Sequence, residues 1–201
     1  MAINFKGDKK PKELLPAGAY IATIYSVVQL GTMKGEYAGK ETRKNKIRIT
    51  WELPEEMREF DGEQKPMVVG KTYTASLFEQ AKLRPIVEGI LGEIDEDNFT
   101  AENLVGKSCM VQLAPAEYLG NEYMDVVSAT MLPKSVPAPK QINPSVYLDY
   151  QEGWKEEVYE ALPQWMKDKM AESEEMRERS LAKGSGIEYP DSEISPDDIP
   201  F

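Results

Sequence analysis

The segment from Lys46 to Leu53 alternates strictly between apolar and polar side chains. Its apolar members are Ile47, Ile49, Trp51 and Leu53, and its polar members include Lys46, Arg48 and Thr50. Because neighbouring side chains of a β-strand point to opposite faces of the sheet, this period of two indicates a half-buried strand. We expect one face of this strand, with Trp51, to lie in the core, while the other face is basic.

Two further alternating segments flank this strand. Residues 19–30 alternate over a length sufficient to bend or bulge, and residues 67–77 form a third strand. We expect the glycine-containing segment 31–42 to be a loop and the charged segment 54–66 to be a connection. The first part of the chain is therefore predicted to contain three strands.

A helix and two more strands follow. Ser76 is a candidate cap for a helix that begins near Phe78 and ends at Gly92, and residues 107–113 and 122–132 form a hairpin. Three strands, a helix and a two-strand hairpin are the order of elements in the oligonucleotide-binding (OB) fold, a five-stranded Greek-key barrel. The fold is thus predicted to be mainly β, although an SH3-like barrel would give a similar order of elements.

Composition divides the chain into four segments. The predicted barrel occupies residues 1–132, and four prolines make residues 133–150 an extended linker. Residues 151–183 have the composition of helices, whose periodicity leaves open whether they pack on the barrel, mediate self-association or bind a partner. Residues 184–201 carry five carboxylates without Lys or Arg and are expected to be a disordered acidic tail.

The net charge of −11 is distributed unevenly along the chain. Residues 1–140 hold 18 Lys and Arg against 20 Asp and Glu, whereas residues 141–201 hold 6 against 15. The acidity therefore belongs to the C-terminal part. On the nearly neutral remainder, a local basic patch can dominate the electrostatic field.

The most basic window of the chain lies between residues 34 and 48. Its cations are Lys34, Lys40, Arg43, Lys44, Lys46 and Arg48. Cations for phosphates and flat rings for bases are what a protein needs to bind single-stranded nucleic acid without reading its sequence. In an OB fold the second and third strands with their loops form that groove. We therefore expect these cations to bind single-stranded DNA, together with Tyr37 as a stacking ring and with Lys71 and Tyr73 on the third strand. An edge strand protected by lysines is the alternative.

Residue types that are missing or rare restrict the chemistry. Histidine is absent and Cys109 is the one cysteine, which excludes an internal disulfide, histidine-activated nucleophiles and histidine-ligated or multi-cysteine zinc sites. We expect Cys109 to be buried in a strand, and we expect no catalytic residues, metal or cofactor. Because the sequence has no apolar run of about 20 residues and no signal sequence, we predict a cytoplasmic protein without a membrane partner.

The acidic tail ends in an apolar tip. Its last five residues are Asp197, Asp198, Ile199, Pro200 and Phe201. Apolar groups gain nothing from exposure to water. We therefore expect a partner protein to bind this tip through an apolar slot, an Arg for the terminal carboxylate and a basic rim. A tail that only improves solubility is the alternative.

This tip resembles the acidic C-terminal tip of bacterial single-stranded DNA-binding proteins and of podophage proteins with the same role. The resemblance is confined to the tip, although the order of elements is similar to that of phage-encoded versions. It implies a non-catalytic OB domain that binds and protects single-stranded DNA. It also implies recruitment of replication, recombination and repair proteins through the tip, in the cytoplasm of a bacterial host if the protein is phage-encoded.

Two other functions fit parts of the sequence. An adaptor or decoy would occupy the same partner pockets through its tail without binding DNA. A nuclease would have to rely on carboxylates, yet Glu55-Glu56 and the acidic run at residues 95–97 lie in predicted loops without a second converging set. Titration with oligo-dT tests the first function, and a metal-dependent cleavage assay tests the second.

We predict that a peptide of residues 191–201 binds host replication or repair proteins that recognise such tips. Deleting Phe201 removes the aromatic anchor and moves the carboxylate onto Pro200, so binding should weaken at least about tenfold, or ~1.4 kcal/mol. A direct competition assay between the two peptides measures this difference. Equal binding would make the tail a generic acidic tether.

Overall fold

The computed structural model describes residues 14–184 apart from residues 97, 119 and 152, and the side chains of all these residues except 37, 183 and 184. Within these residues the strands are β1 (Gly18–Tyr37), β2 (Lys40–Phe60), β3 (Glu63–Thr74), β4 (Ser108–Tyr118), β5 (Asn121–Met131) and β6 (Val146–Leu148). The α-helices are α1 (Arg84–Leu91), α2 (Glu156–Ala161), α3 (Gln164–Ala171) and α4 (Glu174–Gly184), and a 3-10 helix covers Ala101–Leu104. The predicted mainly β class is confirmed.

The strands form one sheet in the order β3-β2-β1-β4-β5, in which every neighbouring pair is antiparallel. The strand β1 is shared among three partners, since β6 also pairs with it, in parallel, at residues 26–28. Its pairing with β2 shifts register between Ile24 and Ser26 and again between Gln29 and Gly31. Such bulges bend a strand and increase its twist, which allows β1 to pair with β4 at one end and with β2 along the rest.

The strands β3 and β5 are the two ends of this path. In the described part of the chain no backbone ladder joins them, and they meet through side chains instead, both in the shared core and at Lys71. The ammonium of Lys71 on β3 lies 2.7 Å from Asp125 Oδ2 and donates to the carbonyl of Val126, also at 2.7 Å, on β5. The structure thus has the predicted order of strands with a helix between the third and fourth. Among the described residues, backbone hydrogen bonds do not close the sheet into a barrel.

The main core lies on the face of β2 that the alternation predicts. Ile49, Trp51 and Leu53 are fully buried there, against apolar residues of β1, β4, β5 and α1. Cys109 on β4 is also buried, as predicted, and burial raises the pKa of its thiol to about 12. A thiol with so high a pKa stays protonated and behaves as a small apolar side chain.

Two segments predicted to be a loop and a connection are long hairpins instead. Residues 31–42 belong to β1 and β2, which turn at Ala38 and Gly39, and residues 54–66 belong to β2 and β3, which turn at Asp61 and Gly62. All four turn residues have positive φ, as a tight two-residue hairpin turn requires. The prediction failed because these strands extend beyond the main core, where polar and charged residues predominate and no regular apolar alternation marks them.

The helix between β3 and β4 is shorter than predicted. It begins at Arg84 rather than near Phe78. Pro85 lies in its first turn, where the backbone N–H that proline lacks would have no partner within the helix. Phe78 lies outside the helix and is 83% exposed. Ser76 accepts a 3.4 Å bond from the Phe78 amide without capping a helix.

The segment predicted to be an extended linker is attached to the sheet by a buried carboxylate. Glu52 on β2 is fully buried and accepts bonds from the backbone amides of Ile142 and Asn143, at 2.6 and 2.7 Å, and from the side-chain amide of Asn143 at 2.6 Å. A buried carboxylate requires such donors. The strand β6 follows directly, so this part of the predicted linker packs on the sheet.

The helices α2 and α3 pack beside β1 through a second apolar cluster. Its buried members are Val28, Leu30, Leu148, Leu162, Met166 and Met170. Of the roles that periodicity left open for the helical segment, packing on the strands is the one seen in this structure.

We predict that Glu52→Gln lowers the free energy of unfolding by about 1–3 kcal/mol. The amide is nearly the same size, but one of its atoms is a donor that would face the donors of Ile142 and Asn143. Urea unfolding measures the change. The control Glu55→Gln, at an exposed position of the same strand, should change stability by less than about 0.5 kcal/mol. Equal effects of the two substitutions would contradict the assignment of Glu52 as the anchor.

Candidate functional site

Strand alternation divides the predicted cations between two faces of the β1–β2 hairpin. Lys40, Lys44, Lys46 and Arg48 occupy four of the five alternate positions from 40 to 48 of β2, the fifth being Thr42, and share the face opposite Ile47 and Trp51. We call these four residues the basic face. Arg43 and its cross-strand partner Lys34 lie on the other face. The prediction treated all six cations as one patch because it placed residues 31–42 in a loop.

The basic face continues onto β3 with small polar residues. The register pairs Lys46 with Thr74 and Arg48 with Thr72, and the ammonium of Lys46 donates to Thr74 Oγ1 at 3.0 Å. Burial, and secondarily the neighbouring charge of Lys44, lowers the pKa of Lys46. Cations at alternate strand positions stand about 7 Å apart. From Lys40 to Arg48 the strand presents no carboxylate on this face, and the neutral Thr42 separates Lys40 from the continuous run Lys44, Lys46 and Arg48.

The guanidinium of Arg48 is held between β3 and a tryptophan of α3. It donates to the carbonyl of Gly70 at 3.2 Å and to Thr72 Oγ1 at 3.3 Å, and its Cζ lies 4.7 Å from the ring centroid of Trp165. A Cβ at Gly70 would lie 2.6 Å from Nη2, so the glycine makes room for the guanidinium. Burial lowers the pKa of Arg48, yet arginine remains charged at any physiological pH.

On the other face the remaining two cations are paired with carboxylates: Arg43 with Glu174 in the first turn of α4, and Lys34 with both Glu174 and Glu41, the latter at 3.7 Å. The carboxylate of Glu174 is hydrogen-bonded to Arg43 and lies 3.9 Å from Lys34 Nζ. That hydrogen bond, with the charge of Glu174, raises the pKa of Arg43. The next residue, Glu175, accepts 2.7 Å bonds from the amide and the hydroxyl of Thr32, which attaches the helix to β1.

Lys71 and Tyr73 do not join the basic face. The register pairs them with Ile49 and Ile47, which places both on the core side of β3. Tyr73 is 4% exposed and burial raises its pKa, while Lys71 is paired with Asp125. The ring of Tyr73 therefore offers no face for stacking, and the sequence could not show this because the facing of β3 depends on its register.

Two groups of predicted site residues lie wholly or partly outside the described residues. The register places Tyr37 opposite Lys40, but its side chain is not described. The tip residues 197–201 also lie outside the described part of the chain.

The prediction missed Trp165 and Glu174. Met166 and Met170 are four residues apart on one stripe of α3 and are buried, whereas Trp165 lies off this stripe and is 50% exposed. This departure from the stripe is the signal in the sequence that could have identified Trp165. No such local signal exists for Glu174, because its partner Arg43 lies 131 residues away in the sequence.

Comparison with protein-family models and with curated proteins gives no match. In the described part of the chain, no group of three or more acidic or cysteine side chains is arranged to hold a metal ion. None of the helices described is both long enough and apolar enough to cross a membrane.

We predict that Glu174→Gln raises the affinity for oligo-dT about twofold to fivefold at low salt. The substitution removes the carboxylate that is hydrogen-bonded to Arg43 and lies 3.9 Å from Lys34, while Glu41 stays 3.7 Å from Lys34. The gain should be small because exposed ion pairs of this kind are weak. The gain should disappear at high salt because screening weakens exposed charges. Fluorescence anisotropy at two salt concentrations measures it.

Glu160→Gln is the matched control, since it makes the same charge change at a glutamate paired with Lys167 on the C-terminal helices. An equal gain in both variants would mean that net charge alone, and not the release of Lys34 and Arg43, raises the affinity.

Proposed function

We propose that this protein binds and protects single-stranded DNA without strong sequence preference and without catalysing a reaction. The observation that carries the proposal is the basic face, which presents four cations from Lys40 to Arg48 of β2 and no carboxylate of that stretch. Phosphate contacts supply affinity that does not depend on base sequence.

The order of the elements supports an OB-type barrel as the scaffold. Five strands in the order β3-β2-β1-β4-β5, with α1 between β3 and β4, match the OB arrangement, and Lys71 joins the two ends through side-chain bonds. In OB folds the ligand lies across strands 2 and 3. The basic face occupies β2 and continues onto β3.

The geometry favours a single strand over a duplex. The four cations follow one line along β2, which suits one phosphate chain, and the adjacent residues of β3 are small. Sequence readout in duplex DNA takes an element that enters a groove, whereas this surface is the face of a sheet. A protein with such a surface would coat strands exposed during DNA replication, recombination and repair, as in the phage proteins whose tip this chain resembles.

We extend the proposal to the acidic tail. Its five carboxylates and the apolar Ile199, Pro200 and Phe201 suit a partner site that has an apolar slot and a basic rim. In this proposal the tail recruits replication, recombination and repair proteins to the coated strand.

We predict that the protein binds fluorescent oligo-dT more tightly than the matching duplex. Replacing Lys40, Lys44 and Lys46 by Gln should then weaken binding and reduce the slope of log K against log salt by about 2, since each phosphate contact on a single strand contributes about 0.7. Anisotropy titrations at several salt concentrations measure both quantities.

The matched control replaces Lys82, Lys134 and Lys140, three exposed lysines outside the hairpin, with the same loss of charge. If the slope of the control variant falls as far as that of the hairpin variant, the β2 lysines are not the binding surface. If the wild-type protein binds neither oligo-dT nor duplex, single-stranded DNA binding is refuted and the adaptor function, through the tail alone, takes its place.

A further inference from the structure

Trp165 is an indole fixed at the border of the basic face. The helix α3 that carries it is anchored by Met166 and Met170 in the cluster beside β1. One side of the indole lies against the Arg48 guanidinium, 4.7 Å from the ring centroid, and half of its surface remains exposed. The ring is therefore held by Arg48 and by the packing of α3, and half of its surface is accessible to solvent.

The other two tryptophans are occupied by the fold. Trp51 is fully buried in the main core. Trp154 stacks on Tyr150 with 5.3 Å between centroids, contacts Tyr159 at 5.1 Å and lies under the guanidinium of Arg179. Packing within the protein thus explains why residues 51 and 154 are aromatic. The packing of α3 relies on Met166 and Met170 and does not require an aromatic residue at position 165.

We infer that Trp165, supported by Arg48, forms a base-stacking subsite at the edge of the basic face. This inference rests on the proposed binding of single-stranded DNA and adds a residue from outside the five-stranded scaffold. When Lys40, Lys44 and Lys46 bind the phosphates of a strand, its bases remain available for stacking. An exposed indole can stack on any of the four bases.

The position of Arg48 explains why the ring is ready to bind. Its guanidinium is bonded to Gly70 and Thr72 of β3 and in turn fixes the plane of the indole by a cation–π contact. A ring already held in its binding orientation loses little conformational entropy when a base stacks on it. The subsite thus joins α3 to β2 and β3 in one binding surface.

The test compares Trp165→Ala and Trp165→Phe with the wild-type protein in oligo-dT titrations. Loss of the ring in the alanine variant should weaken binding about 5- to 100-fold, and the phenylalanine variant should retain most of the affinity. The salt slope should stay unchanged in both variants because stacking releases no counterions. Phe78→Ala, which removes an 83% exposed ring on the connection between β3 and α1, is the matched control and should bind like the wild type.

Tryptophan fluorescence gives a second readout. Oligo-dT should quench the emission of the wild-type protein, and the quenching should be nearly abolished in folded Trp165→Phe, where only Trp51 and Trp154 remain. If the wild type binds oligo-dT but the alanine variant binds equally well, or if quenching persists in the phenylalanine variant, the subsite is refuted while the proposed function stands. A wild-type protein that binds no oligo-dT refutes both.

Discussion

The strand β2 has to satisfy different environments on its two faces, and the rest of the structure follows from this demand. One face supplies Ile49, Trp51 and Leu53 to the core, which must exclude water. The opposite face changes along its length from exposed lysines to the fully buried Glu52. Lysine can stay in contact with solvent, but a buried carboxylate cannot be left without donors. The C-terminal segment provides those donors through Ile142 and Asn143.

This arrangement explains why the C-terminal helices are placed where they are. Once residues 142 and 143 are bound to β2, the chain enters β6 beside β1 and continues into the cluster around Met166 and Met170. The same path carries Trp165 to the basic face and Glu174 to Arg43 and Lys34. The buried carboxylate of Glu52 thus helps to determine which cations of the hairpin are paired with carboxylates and which are not.

Local patterns predicted the parts of the fold that depend on neighbouring residues. The alternation at residues 46–53 identified the central strand and the burial of Trp51, and the order of segments placed a helix between the third and fourth strands. What the sequence could not show depends on distant partners. Asn143 meets Glu52 across 91 residues, and Glu174 meets Arg43 across 131. The division of the cations between two faces was missed for a related reason, because a polar hairpin beyond the core has the composition of a loop.

The contact between β3 and β5 differs in kind from the other contacts of the sheet. Adjacent strands elsewhere are joined by ladders whose hydrogen bonds break cooperatively, whereas here the ammonium of Lys71 reaches across to Asp125 and Val126. One side chain can release two such bonds without disturbing any ladder, and its long aliphatic chain can change rotamer on a far shorter time scale than a strand can separate. Val69 and Tyr73 of β3 nevertheless share the main core with Val126 and Ala129 of β5. Release of the two Lys71 bonds alone would therefore leave the two ends of the sheet joined by apolar packing, which tolerates small shifts in register that a ladder would not.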